Sequence, residues 1–414
     1  MSTVRGDSKQ VLTERRIFFQ SPPTGITSRL LKHIGRHDVI LILSVLVMSV
    51  LGVTMVYSAT RSSLISYRLS QYYWAKRDIE FLGVGIILMI IFAYFDFRRL
   101  EKMWRLILGA LLFSLIVVMV PHVGQQKLGS QRWIQLGPLQ FQPSAFAGIV
   151  VAIAVAAILA DRERQITWLE ITKVVGISGL VMIIVAKQPD LGSAIVVGIT
   201  VATLLVVAGT KVRHLVLLFL ISGIGIVMVV KLGLLHSYQM SRLTSFLHPH
   251  SAMNSTNYNL TQSKIDIGSG GLFGKGLFRD QQTNLQYVPE QQTDFIFTAV
   301  GGQLGFVGAA SVIALYWVMA LRLLTIARRS ISRFGALFAA GAFALFAFSV
   351  FQNAGMTIGI MPITGIPLPL LSYGGSADIA FLVTIGICLN ISRQSRDSSK
   401  SASNRPLVRG NQIG

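Results

Sequence analysis

The stretch Val39-Ile40-Leu41-Ile42-Leu43-Ser44-Val45-Leu46-Val47-Met48-Ser49-Val50-Leu51-Gly52-Val53-Thr54-Met55-Val56-Tyr57-Ser58 contains no charged residue and no proline. As an α-helix rising about 1.5 Å per residue it covers roughly 30 Å, the thickness of a bilayer's hydrocarbon core. Apolar runs of similar kind recur along the chain as far as Ile391. Of its 414 residues 52% are hydrophobic and only 13% charged, where a soluble domain carries about a quarter charged residues. The sequence predicts an all-α polytopic membrane protein.

Ten spans are expected: Val39–Ser58, Phe81–Phe95, Leu106–Pro121, Ser144–Ala160, Val174–Ala186, Gly192–Ala208, Leu215–Leu235, Asp294–Leu324, Gly335–Gly355 and Ser372–Ile391. An even number puts both termini on one side. More Lys and Arg fall on that side than on the other, and the short loop with Arg328, Arg329 and Arg333 has no acid. Positive charge holds loops in the cytoplasm, so both termini are predicted to be cytoplasmic. Residues 1–38 then form a basic cytoplasmic tail and 39–393 the membrane domain. The Ser- and Arg-rich residues 394–414 form a disordered cytoplasmic tail. The N-terminus lacks a small-x-small cleavage pattern. No internal repeat is visible.

The formal net charge of +20 raises the question of nucleic acid. The basic residues flank the apolar runs and form no stripe with interleaved aromatics, which argues against that class. Cys388 is the single cysteine, so no intrachain disulfide exists.

The predicted orientation places the longest connection, about 236–293, outside the cell, together with the loops 122–143, 187–191 and 356–371. Loops of such length tend to be functional or disordered. This one carries Gly268, Gly270, Gly271, Gly274 and Gly276, and an amphipathic helix is expected near Tyr258–Ile267. Unusual polar groups converge on the same face: Arg132 and Trp133, Lys187 and Asp190, Glu290 and Asp294, Asn353, and Ser372-Tyr373-Gly374-Gly375-Ser376. Each has a plain structural alternative. Asp190 and Asp294 stand where helices begin, and Asp is a favoured N-cap. Arg132 and Trp133 suit an interfacial anchor. Asn353 suits interhelical hydrogen bonding, and the Gly pair close helix packing. Asp378 lies inside the last span, where an ionisable group is a functional candidate. These patterns alone admit a transporter, an enzyme acting on a lipid, or a scaffold.

The motifs taken together are more specific. Arg132-Trp133-Ile134-x-Leu136-Gly137 precedes Gln142-Pro143-Ser144. Lys187-Gln188-Pro189-Asp190-Leu191-Gly192 follows, then the Gly-rich 270–276 and Val288-Pro289-Glu290-x-x-Thr293-Asp294-Phe295-Ile296-Phe297. Thr364-Gly365-Ile366-Pro367-Leu368-Pro369 and the Ser372–Ser376 stretch close the series. In this order, over about 39–391, the chain resembles the SEDS family (shape, elongation, division and sporulation proteins). Its Pro-Leu-Pro stretch is closer to the RodA branch than to the FtsW branch.

The resemblance implies a peptidoglycan glycosyltransferase of the bacterial cytoplasmic membrane. Such an enzyme polymerises lipid II into glycan strands for cell elongation and shape, beside a class B penicillin-binding protein transpeptidase. The family's essential aspartate falls at Asp294, expected to act as general base on the attacking sugar hydroxyl, a role that desolvation of a carboxylate favours. The departing pyrophosphate needs fixed positive charge, for which Arg132, Lys187, Arg242, Lys275 and Arg279 are the outer cations, Arg132 first because it also falls in a family motif. Glu290, Asp190, Asn353, Ser372 and Tyr373 complete the expected substrate-binding set. No cofactor is required by sequence, although Mg or Mn could assist on the pyrophosphate. The chain departs from the family where Glu and Lys usually follow Gln-Pro-Ser (here Ala145 and Gly148). It also has Gln292 in place of a His and Gly302-Gln303 in place of an acidic pair. A lipid II flippase and a non-catalytic scaffold that activates the transpeptidase are the alternative readings.

Overall fold

The computed structural model describes residues 36–120, 124–127, 130–136, 139–160, 166–233, 237–247 and 255–403. A helix occupies most of each expected span: α1 Arg36–Ser66, α2 Tyr73–Tyr94, α3 Phe97–Val118, α4 Ala147–Ala160, α5 Trp168–Lys187, α6 Leu191–Val207, α7 Val212–Lys231, α11 Ile296–Arg329, α12 Arg333–Ile358 and α13 Ser376–Ser403. The connection between α7 and α11 carries three more, α8 Ser237–Leu247, α9 Ser255–Ser269 and the short α10 Gln281–Asn284. Among the described residues no proline falls inside a long helix, so the backbone hydrogen-bond ladders run unbroken by missing donors.

Among the described residues seven helices are long and apolar enough to cross a membrane, or eight if α2 and α3, bent by 116° at their junction, count as one span. The expectation of ten is therefore met by ten helices but not by ten spans of full length and composition. Helix α6 is short at 17 residues. The Phe81–Phe95 and Val174–Ala186 predictions were too short, because polar residues start the helices earlier. A capping box of Thr167 with Glu170 opens α5, which satisfies two orphan backbone donors.

Helices α4 and α12 form the centre, with most of their residues buried. Helix α2 packs along α13 at glycine contacts: a Cβ on Gly386 would collide with the Met89 carbonyl oxygen at 2.4 Å. At the other extreme, α7 buries only His214 and presents apolar side chains outward all round, as a lipid-facing helix does.

Two departures concern the loops. The 122–143 connection, read from the sequence only as an outer loop, holds an antiparallel sheet in the order β1 Gly124–Lys127, β2 Ser130–Leu136, β3 Leu139–Phe141. The predicted disordered tail from 394 is instead helical through Ser403. Its first residues are tied down: Ser392 Oγ donates to Asp38 at 2.8 Å, Gln394 donates to Asp96 at 3.0 Å, and Arg396 pairs with Asp38. Residues 404–414 and 1–35 lie outside the described residues.

The glycine-rich segment is explained by α11. That helix breaks at Gly305, where φ is 66°. Backbone donors of Lys275 and Gly276 satisfy the carbonyls of Gly302 and Gln303 at 3.1 and 3.0 Å, and Phe306 and Val307 donate back to Gly271 and Leu272. A Cβ at Gly274 would sit 2.1 Å from the Gln303 oxygen. Only glycine lets the two backbones approach so closely.

Candidate functional site

A cavity of about 790 Å³ opens at the end of the bundle that carries the 232–293 connection. Its polar wall comes from five separate chain segments: Arg132 and Trp133 on β2, Asp190 between α5 and α6, Arg242 on α8, Glu290 and Asp294 ahead of α11, and residues 364–367 with Tyr373–Ser376. Its deeper wall is apolar, made by Phe81, Val196, Leu345 and Phe381 with Ala145 and Gly148.

Helix α11 begins at Ile296 with Phe295 as its N-cap residue and no side-chain cap. Asp294 therefore does not cap it and keeps its carboxyl group for the cavity. The residue is half-buried. Burial pushes its carboxyl above the ordinary value; Arg242, the Thr293 side chain and Arg132 oppose the shift, and Asp190 adds to it. The turn that holds it is fixed by the backbone donors of Thr293 and Asp294, both bound to the Glu290 carbonyl at 3.2 and 3.1 Å. Across the cavity Gly365 has φ 73°, and a Cβ there would lie 3.3 Å from Asp294 Oδ2 and 3.4 Å from an Arg242 nitrogen. The acid and the cation thus face the same bare backbone.

Asp190, by contrast, is a cap and more. Its side chain accepts from the Ser193 amide at 3.2 Å, and from the hydroxyls of Ser144 at 2.9 Å and Ser193 at 2.8 Å. Arg132 lies 3.8 Å from it and donates to the Gln188 carbonyl at 2.8 Å and to that of Pro189. Asp190 thus fixes Arg132 and the α5–α6 turn beside the cavity. Tyr373 donates its backbone N–H to Gln292 at 2.8 Å and its ring meets Trp74 at 4.9 Å. Burial pushes its phenol up to about 12, so it stays a neutral donor.

Six of the expected residues, Arg132, Asp190, Arg242, Glu290, Asp294 and Tyr373, line the cavity. Four do not. Lys187 is exposed on the last turn of α5, which the tight turn to Asp190 directs away from the cavity lining. Lys275 is bonded to Asp280 at 2.9 Å in the loop that serves the α11 break. Asn353 and Ser372 lie behind the wall and shape it. Asn353 donates to the carbonyls of Asp294 at 2.9 Å and Ile366 at 2.8 Å. Ser372 accepts from the Leu368 amide at 2.9 Å. Arg279, the remaining candidate cation, is also outside the lining. The sequence reading missed Ser193, Gln142 and Ser144 as ligands of Asp190, and Trp74 as a wall. Ser144 stood in a quoted motif; nothing in the spacing singled out Trp74.

This arrangement can be set beside known proteins. The family described as Cell cycle protein, covering FtsW, RodA and SpoVE, matches residues 38–397. The chain belongs to the SEDS family. This SEDS protein is 34% identical over 364 residues to Stage V sporulation protein E of Bacillus subtilis, covering 87% of this chain and 98% of that protein. It is 36% identical over 337 residues to Peptidoglycan glycosyltransferase MrdB of Escherichia coli, covering 79% and 87%. Among solved structures, a chain of a peptidoglycan synthase complex coordinating polymerisation and crosslinking superposes with a TM-score of 0.70 at 28% identity, covering 86% of this chain and 97% of that one. Rod shape determining protein RodA of Thermus thermophilus gives 0.63 at 29% identity, covering 86% and 96%. The SEDS fold is thus a polytopic all-α membrane fold here, as the sequence indicated.

Proposed function

We propose that this SEDS protein is a peptidoglycan glycosyltransferase that polymerises lipid II at the outer face of the cytoplasmic membrane, with Asp294 as general base. The observation that carries the reading is the uncapped, half-buried Asp294 facing Arg242 across one cavity. The sugar 4-hydroxyl attacks the anomeric carbon of the second substrate. Its proton passes to the Asp294 carboxylate as the new C–O bond forms and the bond to the pyrophosphate oxygen breaks. A positioned base contributes roughly 100- to 10,000-fold to such a step. Burial raises the proton affinity of Asp294, which suits acceptance from a weak acid.

Arg242 and Arg132 are the cations at the cavity for the charge developing on the leaving pyrophosphate. Arg132 is held by Asp190 and two carbonyls and Arg242 by the Ile363 carbonyl at 3.2 Å, so both guanidinium groups are fixed in place for that charge. Lys187 and Lys275 have no part in this step. The apolar wall of Phe81, Val196, Leu345 and Phe381 suits the start of a polyprenyl chain. Among the described residues no three His, Cys, Asp or Glu groups gather to hold a metal. A Mg or Mn ion fits the donors present only if the pyrophosphate supplies most of its oxygens, with Asp294 or Glu290 as the protein ligand. It would then offset charge on the leaving group.

The outward placement of the cavity is supported by the basic loop with Arg328, Arg329 and Arg333 at the other end of α11, following the positive-inside tendency; both termini are then cytoplasmic. A class B penicillin-binding protein is the natural partner, supported by the likeness to a chain of a synthase complex. An elongation role in the RodA branch is supported by Pro367-Leu368-Pro369 and the RodA-named structural neighbours. The reading is tested with purified protein, lipid II and the transpeptidase, scored for glycan strands. Translocation of lipid II that survives loss of Asp294 would favour a flippase. Transpeptidase activation without strands would favour a scaffold.

A further inference from the structure

A second group of acids lies outside the cavity, on the far side of the loop that carries Asp294. Asp266 on α9 and Asp280 at the start of α10 are both completely buried. Their carboxyl groups converge on Gly302 of α11: a Cβ built there would meet Asp266 Oδ1 at 2.3 Å and Asp280 Oδ2 at 3.1 Å. Lys275 Nζ bonds Asp280 Oδ1 at 2.9 Å, and the Thr283 amide and hydroxyl donate to Asp280 Oδ2 at 3.0 and 2.8 Å. Asp266 Oδ2 accepts from Gln291 Nε2 at 3.2 Å, while among the described residues no donor bonds its Oδ1.

The charge count is decisive. One lysine faces two buried carboxyls, and two carboxylates so close in a dry site do not both ionise. Asp280 takes the lysine and both threonine donors, so Asp280 is the charged member. Asp266 is the neutral acid, with its proton on the otherwise unpartnered Oδ1 and directed at Asp280. The other groups packed against Asp266 are uncharged: Gln291 ahead of α11, and Gly302 with Gln303 on α11, whose Oε1 is held by Ser58 of α1 at 2.8 Å. Lys264, on α9 itself, reaches instead towards Gly359.

Gln291 links this pair to the catalytic loop. It is buried and precedes Asp294 by three residues, in the same turn whose amides close on the Glu290 carbonyl. We propose that Asp266 and Asp280 form a proton-operated latch that positions Asp294 through Gln291, closed while one proton is shared between the two acids and loosened when both ionise. Asp266 is a positioning residue in this scheme; that the positioned group matters for polymerisation rests on the reading of Asp294 as the base.

The electrostatics agree in sign. Burial, then the charge and the hydrogen bond of Asp280, push Asp266 up to about 8 against the pull of Lys275 and Gln291. Burial also pushes Asp280 up, but Lys275, Thr283 and Asp266 outweigh it and hold Asp280 below the ordinary carboxylate value. A group with a raised folded-state value favours the closed form most at low pH. That preference declines as pH rises from the ordinary 3.8 to about 8 and levels off beyond.

The test is hydrogen–deuterium exchange of peptides covering 286–295 in the full-length protein in lipid nanodiscs, corrected for intrinsic exchange, from pH 6 to 9.5. Wild-type protection falls about tenfold between pH 6.5 and 8 and is flat above, the limit for one proton being tenfold per pH unit. In Asp266→Asn the side chain still accepts from Gln291 and donates to Asp280. Its protection is flat across the range and its polymerisation at pH 7 stays within about threefold of wild type, as expected for a retained hydrogen-bond pair. In Asp280→Asn the fall moves to lower pH, because Asp266 loses its charged neighbour. A flat wild-type profile, or an Asp266→Asn profile that falls like wild type, overturns the latch. Because exchange is read without turnover, a protein that makes no strands yet shows the pH step keeps the latch and loses the base. Strands with no pH step do the reverse.

Discussion

The side-chain amide of Asn353, on α12, donates to the backbone carbonyl of Asp294 at 2.9 Å. Its second bond, to the Ile366 carbonyl at 2.8 Å, ties the opposite wall of the cavity to the same group. Asn353 is fully buried, so both carbonyls lose a partner that water does not replace if the amide is removed. Asn353→Leu is expected to cost about 2–4 kcal/mol, the sum of two unsatisfied buried acceptors. Polymerisation falls by more than tenfold in protein that still folds. Thermal unfolding in detergent together with strand synthesis checks this; Asn353→Gln is expected to recover part of the loss.

With Asp294 as the proposed base, Arg242 is expected to set the acid side of the pH profile. A base must be ionised to accept a proton, so activity is expected to be lost as pH falls through the Asp294 pKa, which burial holds above 3.8 and Arg242 restrains. Removing the guanidinium lets the value rise further. In Arg242→Ala the acid limb of the rate profile therefore moves to higher pH, and the maximal rate drops because the leaving pyrophosphate loses a cation, by about 100-fold if Arg242 is worth one strong electrostatic donor. A profile displaced to lower pH would contradict this assignment. Arg242→Lys is expected to restore the position of the limb better than the rate, since an ammonium lacks the two-pronged geometry.

Gly365 separates a stability effect from a catalytic one. At φ 73° an L-residue costs about 1–2 kcal/mol. The methyl group of Gly365→Ala would also stand 3.3 Å from Asp294 Oδ2 and 3.4 Å from Arg242, in the space the proposed reaction assigns to the substrate. Strand synthesis should fall at least tenfold while the melting temperature moves only a few degrees, in line with that cost. A full loss of folding without a measurable active fraction would show the turn to be structural only.

Much of this architecture was legible from the apolar runs, because a lipid environment forces each run into a helix. The positions that misled are those where polar residues extend a helix beyond its hydrocarbon stretch. Trp168–Lys187 starts at a capping box that hydropathy ignores, and Ser392, Gln394 and Arg396 carry α13 onward because Asp38 and Asp96 receive them. The cavity residues were legible in part. Asp190 and Asp294 look alike in sequence, each before a helix, yet one caps and the other does not. The difference lies in Ser144 and Ser193, which saturate Asp190, and in Phe295, which takes the N-cap position so that α11 starts two residues beyond Asp294. Lys187 and Lys275 were plausible by charge alone. Which way a lysine leaves a tight turn, and that Asp280 would claim Lys275, depend on tertiary contacts no motif encodes.

The most direct test of the central claim is lipid II polymerisation by purified wild type and Asp294→Ala, each with the transpeptidase partner and matched for folded protein. Wild type is expected to give glycan strands and the variant at least a 100-fold lower rate, the lower end of what a general base contributes. Strands formed by Asp294→Ala at the wild-type rate would contradict that claim.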